Sequence, residues 1–177
     1  MNQMYFQSVE SAQDPNLDYV FKLYTSAFPI SERRDWPQLL SMIGNRREMD
    51  LNLILEGDRI IGFVILWHLR GWDYIEHFAI DPDQRGKSYG EKVMQMLLKD
   101  TRLILEVEPP ETTDAVRRIR FYEKLGLYCL EVPYQQPCYR DPEREYKLIL
   151  MSNYPQESVD LYLSVIKEIK EKVYGRQ

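Results

Sequence analysis

A strand-like run from Tyr74 to Ile80 is cut off by Asp81-Pro82 and followed by Asp83-Gln84-Arg85-Gly86-Lys87-Ser88-Tyr89-Gly90. Beyond it, Val93, Met94, Met96, Leu97 and Leu98 mark a helix. A strand, a turn of small and basic residues, and a helix start in that order make an anion site. The first turn of a helix presents N–H groups with no partner inside the helix, together with the positive end of its dipole. Small residues ahead of it let a ligand approach the backbone, and Arg85 and Lys87 add positive charge. Phosphate or diphosphate suits this pattern; a basic loop capping an ordinary helix is the competing reading of the same residues. The strand that feeds the turn carries two adjacent titratable side chains, Glu76 and His77. Alternation puts Tyr74, Glu76 and Phe78 on one face and Ile75, His77 and Ala79 on the other.

The surrounding chain must hold that turn in place. Residues 4–9 read as a first strand. Leu17, Val20, Phe21, Leu23, Tyr24 and Phe28 recur at helical spacing, and Phe28-Pro29 ends that helix. A short helix is expected over 37–43. Residues 50–55 and 59–69 flank Glu56-Gly57-Asp58, a hairpin signal, and a third strand covers 74–80. Residues 103–107 read as a short buried strand closed by Pro109-Pro110, and 114–125 as a helix stopped by Gly126. Strands are expected over 128–132 and 145–151, separated by a polar, proline-containing segment, 133–144. A final helix is expected over 155–174. This order gives an α/β arrangement with an antiparallel middle and a crossover helix into a parallel neighbour.

Composition narrows the function. The chain has 177 residues, 44% hydrophobic and 29% charged, a size and balance expected of one domain spanning 1–177. A net charge of -5 and a pI near 5.2, with Lys and Arg dispersed except at Arg117, Arg118 and Arg120, argue against nucleic acid as a partner. The two cysteines, Cys129 and Cys138, and the two histidines, His68 and His77, show no metal-site spacing, so no metal is expected. Residues 1–10 lack the features of a secretory signal, and the longest apolar run, 60–69, is too short to span a membrane. A cytoplasmic protein with reduced thiols and no membrane partner is the expectation. In the C-terminal helix extension, 155–174, an apolar stripe of Val159, Tyr162, Ile166, Ile169 and Val173 packs on the domain's own sheet or pairs with a second subunit. Monomer and homodimer both remain open.

Arg85-Gly86-Lys87-Ser88-Tyr89-Gly90 resembles the acetyl-CoA-binding signature of the GNAT superfamily of acyl-CoA-dependent N-acyltransferases, Arg/Gln-x-x-Gly-x-Gly/Ala, with Ser88 where the middle glycine usually stands. Ala79-Ile80-Asp81-Pro82 is similar to that family's strand ending. Phe121-Tyr122-Glu123-Lys124-Leu125-Gly126-Leu127 resembles its helix-to-strand segment. The resemblance covers about residues 50–151. It implies the GNAT fold, a mixed and mainly antiparallel central sheet flanked by helices on both faces.

It also implies acetyl-CoA as co-substrate and a primary amine, on a small molecule or a peptide, as acceptor. A non-catalytic acyl-CoA-binding or sensing module is the alternative. The resemblance assigns cofactor contacts to Phe78, Ala79, Ile80, Arg85, Gly86, Lys87, Ser88, Tyr89 and Gly90, with N–H groups around Phe78 to Ile80 polarising the thioester carbonyl. Tyr122 is the expected general acid toward the departing sulfur. Glu76 is the expected base, acting directly or through a water, with a salt-bridged strand carboxylate as its bland counterpart; His77 is the second candidate. Glu32, Arg33, Arg34, Trp36, Trp67, Trp72 and Tyr139 are candidate acceptor contacts.

Overall fold

The computed structural model describes residues 3–84, 86–154 and 158–176. Nine strands and five α-helices are found among them: β1 Met4–Ser8, α1 Leu17–Ala27, α2 Trp36–Met42, β2 Met49–Glu56, β3 Arg59–Leu69, β4 Trp72–Ile80, α3 Tyr89–Leu97, β5 Leu103–Val107, α4 Thr113–Lys124, β6 Tyr128–Cys129, β7 Gln135–Pro137, β8 Glu145–Lys147, β9 Ile149–Ser152 and α5 Val159–Glu168. A π-helical turn, Ile169–Val173, continues α5. Seven strands form a mixed sheet in the order β1-β2-β3-β4-β5-β9-β6, with helices flanking it; β7 and β8 make a separate antiparallel pair. Pairing is antiparallel at β1–β2, β2–β3, β5–β9 and β9–β6, and parallel at β4–β5. No helix among the described residues is long and apolar enough to cross a membrane.

The chain divides into two compact units, residues 1–67 with Glu76–Val93 and His68–Ile75 with residues 94–177. In the first, Gly57 takes a left-handed φ of 59° and turns β2 into β3, as the Glu56-Gly57-Asp58 signal requires. The β2–β3 register slips by one residue between Ile54 and Leu55, so Ile61 bulges. Its carbonyl accepts the Asp81 amide at 2.9 Å. A Cβ on Gly62 would collide with the Ala79 carbonyl, so only glycine lets β3 and β4 come this close. Helix α1 covers these strands with its apolar stripe. Tyr24 and Phe28 both meet the Phe63 and His77 rings.

In the second unit β5 lies parallel to the start of β4, the parallel neighbour that the sequence order requires. Thr112 caps α4, its side-chain oxygen accepting the Ala115 amide at 3.1 Å, which contributes about 1 kcal/mol. Gly126 ends that helix region with φ 87°. Tyr162, Ile166, Ile169 and Val173 bury the stripe of the last helix, whereas Val159 at its start is exposed. The expected first residue of that helix, Pro155, lies outside the described residues. Two expectations are corrected here. The segment 133–144 contains β7, and the strand expected over 145–151 is two strands, β8 and β9.

Candidate active site

The turn after β4 is tied down from several sides. Asp81 Oδ1 accepts the Asp83 amide at 2.9 Å, and Asp81 Oδ2 accepts the Tyr19 hydroxyl at 3.1 Å, which fastens α1 to the turn. Burial, then the Asp81 charge, raises the Tyr19 pKa and keeps its hydroxyl a donor. A 3-10 turn, Pro82–Gln84, follows. Gly86 and Ser88 then take left-handed φ values of 78° and 56°. Ser88 thus adopts the backbone conformation natural to glycine, at a cost of about 1 kcal/mol for an L-residue with a Cβ. Its carbonyl accepts the Lys92 amide at 3.1 Å and so begins the hydrogen-bonding of α3.

Gly86, Lys87 and Ser88 are exposed, and Gly90 is half-buried in the first turn of α3. Lys87 reaches back to Gln84 Oε1 at 2.9 Å. Tyr89 departs from the expectation at its side chain: the ring is buried and its hydroxyl donates to Glu56 Oε2 at 2.5 Å. That leaves only its main chain for a ligand. Arg85, expected at this site, lies outside the described residues.

Strand β4 uses its two edges differently. Its parallel register with β5 covers Asp73–Ile75 and ends at the Ile75–Leu105 rung, while β4 itself runs on to Ile80. The Ala79 carbonyl and the Asp81 amide face β3. In a strand successive residues direct their main-chain groups to opposite edges, so those of Phe78 and Ile80, the neighbours of Ala79, face the other way. Both residues are partly exposed, whereas His77 and Ala79 are buried. Of the three positions expected to present N–H groups to a carbonyl, Phe78 and Ile80 are therefore oriented for it. Ala79 is spent on β3.

The Glu76 side chain is fully enclosed, with 0% exposure; the partial exposure of the residue lies on its main chain. Oε1 accepts Arg34 Nε at 2.8 Å, and Oε2 accepts the Trp67 indole N–H at 2.6 Å. Arg34 is itself buried, its amide donating to the Tyr24 hydroxyl at 2.9 Å. Glu76, the expected base, stands inside a buried ion pair. His77 packs edge-on against Tyr24 and Phe28, its Nε2 2.9 Å from the Glu32 carbonyl. Burial depresses its pKa, which keeps the ring neutral.

In the second unit Tyr122 lies on α4, half-buried, with the Phe121 ring 5.2 Å away. Burial pushes its hydroxyl up to about 12 against the opposing pull of Arg118, so it is protonated at neutral pH. Arg118 bonds Glu108 at 2.5 Å, and Arg117 faces Asp114 at 3.6 Å. Trp72 joins a different cluster, its ring against Tyr154 and Tyr162. Among the described residues no group of three His, Cys, Asp or Glu is placed to hold a metal ion.

Sequence reasoning missed two features. Arg34 and Trp67, expected as acceptor contacts, both hold the Glu76 carboxylate, a pairing no local pattern signals. Glu106, a lone carboxylate in the otherwise apolar strand β5, was passed over, although a charge at a core-strand position was the available signal.

A family model described as the acetyltransferase (GNAT) family matches residues 17–127, a span that draws on both units. The chain belongs to the GNAT acetyltransferase family. A GNAT-family protein from Bacteroides thetaiotaomicron superimposes with a TM-score of 0.92 at 27% identity, covering 98% of this chain and 99% of the other. A spermidine N-acetyltransferase variant from Vibrio cholerae matches with a TM-score of 0.64 at 12% identity, covering 89% and 99%. NAA60 of Arabidopsis thaliana, solved with acetyl-CoA, matches with a TM-score of 0.59 at 14% identity, covering 85% and 97%. The latter two likenesses show the GNAT fold alone. No curated protein matches the sequence significantly. Family membership makes the chain an acyltransferase, as the motifs at Arg85–Gly90 and Phe121–Leu127 imply.

Proposed function

We propose that residues 1–177 act as one GNAT domain that transfers the acetyl group of acetyl-CoA directly to a primary amine of a small molecule or peptide. It works in the cytoplasm as a monomer or homodimer, without a metal. The observation that carries this reading is the turn after β4: exposed Gly86, Lys87 and Ser88, two of them left-handed, running into the start of α3. Such a turn offers main-chain N–H groups and positive charge to a diphosphate. Arg85, Tyr89 and Gly90 complete the proposed contacts, Tyr89 through its main chain. Main-chain groups of Phe78 and Ile80 serve the thioester end, and Ala79 keeps β4 close to β3. Free thiols at Cys129 and Cys138 suit a reducing compartment.

Tyr122 is the proposed partner of the leaving sulfur. A hydroxyl with a pKa of about 12 is a hydrogen-bond donor at neutral pH. Handing its proton outright to a thiolate whose conjugate acid has a pKa of about 8.5 is uphill by about 3.5 units, or about 5 kcal/mol. Tyr122 therefore stabilises the developing thiolate by donating a hydrogen bond and keeps its proton. Glu76 holds Arg34 and Trp67. Accepting a proton there would cancel the charge that pairs with the buried Arg34 guanidinium.

Thermal unfolding with and without acetyl-CoA, followed by CoA release across a panel of amines, tests the proposal. Acetyl-CoA at about 100 times its Kd should stabilise the native state by about 2.7 kcal/mol. A Gly86→Trp variant, with a large side chain over the turn, should lose that shift. Stabilisation without CoA release from any amine would favour a sensing module instead.

A further inference from the structure

The acetyl-transfer reading leaves the first end of β4 unused. There the β3–β4 turn, with Gly71 at a left-handed φ of 74°, and the loop from α3 to β5 line a cavity of about 580 Å³. Small organic ligands fill volumes of this size. Every residue around it belongs to the second unit. Leu69 and Trp72 supply its apolar wall, and Asp73, Asp100, Thr101 and Arg102 its polar one. A Cβ on Gly71 would meet no atom within 4 Å, so the rim is open on that side.

The polar wall is held from behind. The Arg102 carbonyl accepts the Asp73 amide at 2.8 Å, and the Thr101 carbonyl accepts the Asn153 side-chain amide at 2.9 Å. Asp73 Oδ2 accepts the Thr101 hydroxyl at 2.7 Å, and Oδ1 lies 2.7 Å from His68 Nδ1. The bond with His68 holds the Asp73 carboxyl below its ordinary range, outweighing burial and aided by Thr101. Both oxygens of Asp73 are thus engaged. Arg102 lays its guanidinium over the Tyr154 ring at 4.2 Å and donates to the Tyr154 hydroxyl at 3.3 Å. These contacts fix the guanidinium plane and leave most of its five N–H donors for another partner. The Tyr154 and Tyr162 rings, 5.8 and 5.5 Å away, hold Trp72. Among the described residues no basic side chain pairs with Asp100 and no acidic one with Arg102. Two opposite charges therefore line one cavity without neutralising each other.

We propose that this cavity binds a zwitterion of the α-amino acid class with an apolar side chain. The ammonium group meets the Asp100 carboxylate, and the ligand's carboxylate takes the remaining Arg102 donors. The Thr101 hydroxyl gives its proton to Asp73, so its oxygen can accept from the ammonium. The apolar side chain lies against Leu69 and Trp72. A simple amine would leave Arg102 without an anion. A simple acid would set its charge beside Asp73 and Asp100 with no cation between them. The amino acid answers both. Binding here requires neither acetyl-CoA nor turnover.

Amide NMR titrations of the full chain, without acetyl-CoA, test this with three probes. They are L-phenylalanine, phenethylamine, which lacks the carboxylate, and 3-phenylpropionate, which lacks the ammonium. L-Phenylalanine should shift the amides of Gly71 and of residues 100–102, and bind about 10-fold tighter than either analogue or better. Asp100→Asn and Arg102→Gln should each weaken L-phenylalanine by about 10-fold or more. Asparagine tolerates the left-handed φ of 58° at position 100, so that variant keeps the loop. If Arg102→Gln loses the dispersion of a folded spectrum, Asp100→Asn alone decides. Shifts confined to residues outside the cavity, or no shift at tens of millimolar L-phenylalanine, overturn the proposal. So do analogues that bind as tightly as the amino acid, or an Asp100→Asn chain that binds it as wild type does.

Discussion

Two glutamates follow the last rung shared by β4 and β5, Glu76 on one strand and Glu106 on the other, and their surroundings are opposites. Glu76 is bound by a guanidinium and an indole N–H, with no part of its side chain exposed. Glu106 is bound by the Tyr134 and Tyr174 hydroxyls and the Gln136 amide, all neutral, and burial raises its pKa above the ordinary carboxylate value. A carboxylate tied to a buried cation cannot change charge without stranding that cation. One held by neutral donors strands nothing when it takes a proton. Burial alone therefore does not decide whether a carboxylate can take a proton; the charge of its partner weighs as much.

The comparison can be broken most severely at Arg34. Arg34→Met removes the guanidinium from the buried Glu76 carboxylate, and should lower stability by about 3–5 kcal/mol in denaturant titrations. Adding Glu76→Leu, which removes the stranded charge, should recover most of that loss. If the single variant is as stable as wild type, the clamp is not structural. A smaller effect is expected at Tyr122, in the same unit as Glu106. Tyr122→Phe removes one hydrogen bond to a developing charge and should lower kcat by roughly 10- to 100-fold. The KM for acetyl-CoA should be unmoved; full activity would end the assignment. The smallest effect belongs to Ser88, whose φ of 56° strains a residue with a Cβ. Ser88→Gly should leave acetyl-CoA binding intact and raise stability by up to about 1 kcal/mol, offset in part by the extra freedom of glycine in the unfolded chain. A clear drop in Tm would show that the serine hydroxyl matters more than its backbone.

Much of the frame could be read from the residues. Strands β3 and β5 fall at 59–69 and 103–107, as their apolar runs and flanking turn residues indicate. The basic turn declared itself by glycine and charge next to a helical pattern. What escaped was pairing across sequence distance. Arg34 lies 42 residues from Glu76, and Tyr174 lies 68 from Glu106. No local periodicity records such partners. Strand β7 escaped because Pro133, Pro137 and a polar composition hide the alternation of a three-residue strand.

The contrast between the two carboxylates is tested most directly by following side-chain carboxyl carbons by NMR through a pH titration of wild type and Glu106→Gln. One carboxyl resonance should titrate above the usual range of about 4 to 4.5 in wild type and be missing from the variant. Persistence of that resonance in Glu106→Gln, or titration of Glu106 at or below the ordinary value, would contradict the account.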